Sequence, residues 1–94
     1  MNSILKTEKE CIVCGAVVNL HLHHIYFGRG VREISDRNGF TCWLCGYHHN
    51  QSSEGVHGKD GHKLDMYLKQ TCQKEFEKTH TRDELKNLIG KSYL

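Results

Sequence analysis

Cys11-Ile12-Val13-Cys14-Gly15 sets two thiols with two residues between them, followed by a glycine that relieves the tight turn. That spacing lets both sulfurs face one tetrahedral Zn²⁺. A second pair lies near position 45 and reads in two ways. Cys42 and Cys45 would complete a four-thiolate site, whereas Cys45 and His48 would complete a site of three Cys and one His. Thr41-Cys42-Trp43-Leu44 reads as continuous strand, where Cys serves as a small buried hydrophobe, and this favours Cys45 and His48. The expected ligands of a structural zinc are therefore Cys11, Cys14, Cys45 and His48, with Cys42 as the alternative to His48. Cys72 falls on an apolar helical stripe and reads as core.

The histidines go beyond what a zinc staple uses. Leu22-His23-His24-Ile25 ends an alternating stretch, and His48-His49-Asn50 opens a short helical one. A strand ending in adjacent His residues, a loop, a second strand, then Cys-x-x-His-His on a helix resembles the HNH (His-Me finger, ββα-metal) endonuclease family over about residues 11–53. The wider chain, with Gly55-Val56-His57-Gly58 and a long helix from Lys63, is similar to small phage-encoded HNH proteins. The resemblance implies a metal-dependent endonuclease that hydrolyses the phosphodiester bonds of DNA. It makes His23 a ligand of a catalytic divalent metal, His24 the general base and His49 a second ligand. The family's middle Asn would fall at Phe40, and Asn38, two residues earlier, is the nearest substitute.

The chemistry suits these residue types. Attack on a phosphodiester needs its charge stabilised, and a divalent ion can do this while orienting the phosphate and stabilising the leaving oxygen. A neutral imidazole can take a proton from water near pH 7, typically contributing about 10²–10⁴-fold in rate. Neighbouring side chains of an ideal strand face opposite ways, so a ligand and a base side by side require the strand to end or twist there. A His-rich shell suits Zn²⁺, Ni²⁺, Co²⁺ or Mn²⁺ better than Mg²⁺. His57 reads either as a third metal ligand or phosphate donor, or as an exposed residue of a Gly-rich loop. His21 shares the His23 face and reads either as a group supporting the ligands or as a polar residue on a solvated face. Arg29 and Arg32, in the loop after the base, are candidate phosphate contacts. Arg37 and the helix lysines Lys63, Lys69 and Lys74 are further basic candidates, though such charges are commonly solvated.

These groups must be held by a small scaffold. With 94 residues the chain is expected to form a single domain with a marginal core, for which a metal staple is a usual remedy. The expected fold class is α+β: a zinc-stapled ββα-metal core (antiparallel hairpin plus helix) over about 11–53, then a helical extension over about 60–90. Val17–Ile25 reads as a strand with Leu20 and Leu22 on one face and His21 and His23 on the other. Residues 26–39 read as a charged, Gly-rich loop, 40–44 as a second strand, and about 46–53 as a short helix. Leu64, Tyr67, Leu68, Cys72 and Phe76 form one helical stripe, with Asp60 as the expected N-cap. Thr81-Arg82-Asp83-Glu84 fits a capping box, and Gly90 sits where a helix stop belongs. Residues 1–10 read as a polar lead-in or frayed turn.

Composition narrows the setting. The formal charge is only +2, so a nucleic-acid surface would have to be local. No stretch approaches the roughly 20 apolar residues of a membrane span, and Met1–Glu10 lacks a signal-like apolar segment. The expected setting is the cytoplasm of a bacterial or phage-infected cell, with reduced thiols available to metal. DNA is the expected partner, with no membrane association. Double-strand cutting by so small a site would take a homodimer or two successive nicks. The competing reading is a zinc-ribbon module that binds nucleic acid or protein without catalysis; it leaves His23, His24 and His49 without a task.

Overall fold

The computed structural model describes residues 3–6 and 8–94. Its elements run β1 (Leu20–His24), α1 (Val31–Asn38), β2 (Thr41–Cys45), α2 (Gly46–His49), α3 (His62–Phe76) and α4 (Arg82–Ile89). The architecture is α+β. β1 and β2 form a two-stranded antiparallel hairpin in which His21 faces Leu44, Leu22 faces Trp43 and His23 faces Cys42. Among the described residues, no helix is long and apolar enough to cross a membrane.

The hairpin is shorter than the expected Val17–Ile25 strand, and its histidine face is the inner one. Cross-strand partners share a face, so His21 and His23 lie with the buried Leu44 and Cys42. His23 is 2% exposed while Leu22 is 44% exposed. A solvated face for these histidines is therefore ruled out: other ring systems cover it, as described below.

The expected loop over 26–39 is instead largely a helix. Gly30 (φ 81°) and Gly39 (φ 74°) adopt the left-handed conformation at the two ends of α1, so two of the glycines that suggested a loop are its terminators. Val31, Ile34, Ser35 and Asn38 turn inward at helical spacing. The Ser35 hydroxyl donates to the Tyr26 carbonyl at 2.5 Å and accepts from the Tyr26 N–H at 3.1 Å. That exchange satisfies buried backbone groups just beyond β1. Ser35 also takes the Phe40 N–H on its carbonyl at 2.9 Å, which starts the chain back toward β2.

One apolar cluster runs from Cys11 through Ile25, Tyr26, Phe40 and Leu44 to Leu68, Cys72, Phe76 and Leu85. Tyr26 is central: its ring meets Phe40 edge-on at 5.3 Å, and its hydroxyl donates to the Lys69 carbonyl at 2.8 Å. Of the expected α3 stripe, Leu68, Cys72 and Phe76 are buried, but Tyr67 is 62% exposed. The buried Gln73 amide donates to Ser92 and accepts from the Tyr93 N–H, anchoring the C-terminal segment. The capping box at Thr81 and Glu84 forms as expected, as does the Gly90 stop. Ser3 and Ile4 hydrogen-bond to Thr41 and Gly39 carbonyls, so this part of the lead-in docks rather than frays.

Helix α2 ends at His49 rather than near Ser53, and the following loop folds back over it. Val56 N–H donates to the His48 carbonyl at 2.8 Å, and His57 N–H to the His49 carbonyl at 3.0 Å. The cap of α3 is Gly61, not Asp60. A Cβ on Gly61 would lie 1.8 Å from the Gly55 carbonyl oxygen, closer than any packing allows. Because the Gly61 φ of −91° suits any residue, the requirement there is purely steric. Gly61→Ala should lower stability by about 1–3 kcal/mol. The measurement is a lower urea midpoint at unchanged slope; an unchanged midpoint would refute the steric reading.

Candidate functional site

The knuckle is held before any ion is considered. Gly15 N–H donates to the Cys11 carbonyl and Cys11 N–H to the Ala16 carbonyl, each at 2.8 Å. Ile12 N–H donates to the Trp43 carbonyl at 3.0 Å, docking the turn on β2. Cys45 ends β2 and His48 lies three residues on in α2, so both reach back to the knuckle.

Cys11, Cys14, Cys45 and His48 converge as a group able to hold a metal ion. The Cys14 and Cys45 sulfurs are 3.8 Å apart, and His48 Nδ1 is 3.2 Å from the Cys45 sulfur and 3.7 Å from that of Cys11. A tetrahedron with Zn–S near 2.3 Å and Zn–N near 2.0–2.1 Å has edges of about 3.8 Å between sulfurs and about 3.6 Å between sulfur and nitrogen. The set fits a structural zinc. Thiol chemistry separates Cys11 from Cys42 as well. Burial alone would raise the Cys11 thiol, but backbone N–H groups of Cys45, Cys14 and Val13 outweigh it and bring it down to about 6. Burial pushes Cys42 up to about 12, and Cys72 likewise to about 12. Cys42 is a core thiol facing His23 across the hairpin, and His48 takes the place for which Cys42 was the alternative.

A second cluster forms on the other side of α2. His23 from β1, His49 from α2 and His57 from the folded-back loop bring ring nitrogens within 4.8 Å of one another. The rings meet edge-on, with centroids 5.4 Å apart for His23–His49, 5.3 Å for His23–His57 and 4.8 Å for His49–His57. Burial, then the neighbouring imidazoles, lowers His23 to about 3 and His49 to about 4. Both are therefore neutral at pH 7, with a lone pair to offer. His23 Nε2 is buried with no hydrogen-bond partner. A ring nitrogen left unpaired in the interior costs free energy, and a cation at the cluster would satisfy it.

His24 points elsewhere, because it is the next residue along the strand. Its Nε2 lies 3.2 Å from Asp36 Oδ1, and Arg32 Nε donates to its Nδ1 at 3.4 Å. Those bonds place the proton on Nε2 and the lone pair on Nδ1, where it accepts from Arg32. His24, Arg32, Glu33, Asp36 and Arg37 line a cleft of about 580 Å³. A second cleft of about 330 Å³ joins His24 and Arg32 to His23, His49 and His57. Arg29 sits exposed in the turn before α1. Lys69 is not a surface charge: it is buried, paired with Asp65 at 2.8 Å and set 4.3 Å over the Phe27 ring. Asn38, the nearest substitute for the missing Asn, instead donates to the Ile34 carbonyl at 2.8 Å within α1.

Sequence reasoning passed over Asp36. Once α1 is a helix, Arg32 and Asp36 are one turn apart on a single face; read as loop, that spacing carried no signal. No family model, curated protein or solved structure matches this chain.

Cys11→Ser should strip about one zinc per chain and unfold the knuckle, because metal binding is folding energy in small domains. Cys42→Ser should keep the zinc. Elemental analysis reads both, and zinc lost from Cys42→Ser but kept in His48→Ala would reverse the assignment.

Proposed function

We propose that the chain is an HNH-type (ββα-metal) endonuclease that hydrolyses phosphodiester bonds of DNA, residues 1–94 forming one nuclease domain. The observation that carries this reading is the three-imidazole cluster of His23, His49 and His57 sharing a cleft with His24, which is held by separate partners. A divalent metal on that cluster would supply positive charge to the scissile phosphate and the leaving oxygen. An all-imidazole donor set suits Zn²⁺, Ni²⁺, Co²⁺ or Mn²⁺ before Mg²⁺.

The chain's own residues perform the proton transfer. When Arg32 turns from His24 Nδ1 to the phosphate, that lone pair is released to accept a proton from a water in the cleft, while Asp36 holds Nε2–H and the ring orientation. The water oxygen bonds to phosphorus, the bond from phosphorus to one sugar oxygen breaks, and that oxygen takes its proton from solvent. Arg32 stands at the base and offers its guanidinium to a phosphate oxygen, with Arg37 on the same cleft. Arg29, at the entry to α1, would contact the DNA backbone farther along.

A plasmid-nicking assay with added Mg²⁺, Mn²⁺, Zn²⁺ or Ni²⁺ tests the proposal. His24→Ala should lose about 10²-fold or more in cleavage while keeping the zinc and DNA binding. His23→Ala and His49→Ala should weaken metal binding and recover part of their activity at high metal. A His24→Ala variant as fast as wild type would overturn the role of the base. A wild type inactive with every metal would leave a zinc-stapled binding module in place of a nuclease.

Replacing Arg29 and Arg32 together by Ala should weaken DNA binding on any sequence. The slope of log affinity against log salt should become shallower by roughly one for each phosphate that is no longer neutralised. An unchanged slope would remove both residues from the DNA interface.

A further inference from the structure

His21 has no assigned task in the proposed nuclease, yet its ring is committed to the site. Its Nδ1 lies 2.8 Å from His49 Nδ1, with the rings edge-on at a centroid distance of 5.0 Å. No other hydrogen bond between imidazole rings occurs among the described residues. His21 lies one strand repeat before His23 on the same face, which brings it against α2 beside His49. It is not one of the converging ligands, which are His23, His49 and His57.

We infer that His21 is a positioning residue that fixes the tautomer and ring orientation of His49. A hydrogen bond between two imidazole nitrogens needs one N–H and one lone pair. If His49 offers Nε2 to a cation, its own proton must sit on Nδ1. The Nδ1 lone pair of His21 accepts the hydrogen bond from that N–H, and the proton of His21 then sits on its own Nε2. Histidines that bind metals generally donate their second ring N–H to an acceptor, and losing that acceptor typically costs 10–100-fold in metal affinity or activity. The usual acceptor is a carboxylate, a backbone carbonyl or water; here it is a neutral imidazole. This choice adds no negative charge to the site and leaves the cluster's affinity to its three ligands and their alignment.

The inference rests on the metal-binding part of the proposed function, and a binding measurement separates the two. Ni²⁺ is titrated by calorimetry into zinc-loaded protein, with zinc content and circular dichroism as checks on the fold. His21→Ala should bind Ni²⁺ about 10–100-fold more weakly while retaining its zinc. His21→Asn sets an amide oxygen at the same distance along the side chain as Nδ1 and should recover most of the affinity. Should His21→Ala lose its zinc, His21→Ser takes its place in the comparison. A wild type that takes up no Ni²⁺ overturns the cluster as a metal site, and the role of His21 with it. A wild type that binds Ni²⁺ no better than His21→Ala, or an Asn variant as weak as Ala, overturns His21 alone.

Discussion

The structure depends on the convergence of Cys11, Cys14, Cys45 and His48. The two halves of this ligand set are more than thirty residues apart in sequence, and each sits on a short element that could not hold itself. The knuckle has no strand of its own, and α2 is a single turn from Gly46 to His49. A helix so short gains little from its own hydrogen bonds. A zinc at the centre of these four residues would pin the start of α2 to the end of β2 and to the knuckle. His49 is the next residue after His48, and one step along a helix turns the side chain by about 100°. The same turn therefore gives one imidazole to the staple and the next to the His23 cluster.

The other two members of that cluster are placed by different means. His23 is placed by strand register, opposite Cys42. His57 is placed by main chain, because the loop after α2 bonds back to the His48 and His49 carbonyls through the N–H groups of Val56 and His57. Phe27 closes the cluster from the α3 side, edge-on to His57 at 5.2 Å and to His23 at 5.9 Å. Lys69, buried on α3 and paired with Asp65, stands over Phe27 at 4.3 Å. The ammonium faces an aromatic ring instead of the imidazoles; burial and the neighbouring imidazoles keep His23 neutral, and the Lys69 charge adds the least to that effect.

Much of this was legible from residue spacing, and the failures have identifiable causes. Cys-x-x-Cys and Cys-x-x-His are local patterns whose geometry is set within one turn, so the staple could be read down to a choice between Cys42 and His48, which the tertiary convergence decides. The capping box at Thr81 and the stop at Gly90 are equally local and were legible for the same reason. α1 was not: only Val31 and Ile34 are apolar along it, and its flanking glycines are as common in loops as at helix ends. Losing α1 also hid Asp36 and the pairing of His24. The alternation in β1 was visible, but which face turns inward is decided by α2 and the 54–61 loop packing over it, a tertiary fact absent from the strand. His57 was readable only as one of two options, since its place depends on backbone bonds made by a loop with no periodic pattern.

The adjacency of His48 and His49 joins the two clusters through one peptide bond. A change in coordination at either end must therefore be felt at the other within the span of a single residue, with no flexible segment between them to absorb it. Substituting one metal for another in the staple, with slightly longer or shorter bonds, would rotate α2 and shift the His49 ring relative to His23. The spacing of the imidazoles is in this sense a gauge of the thiolate site, since a single peptide bond carries any displacement of His48 into His49.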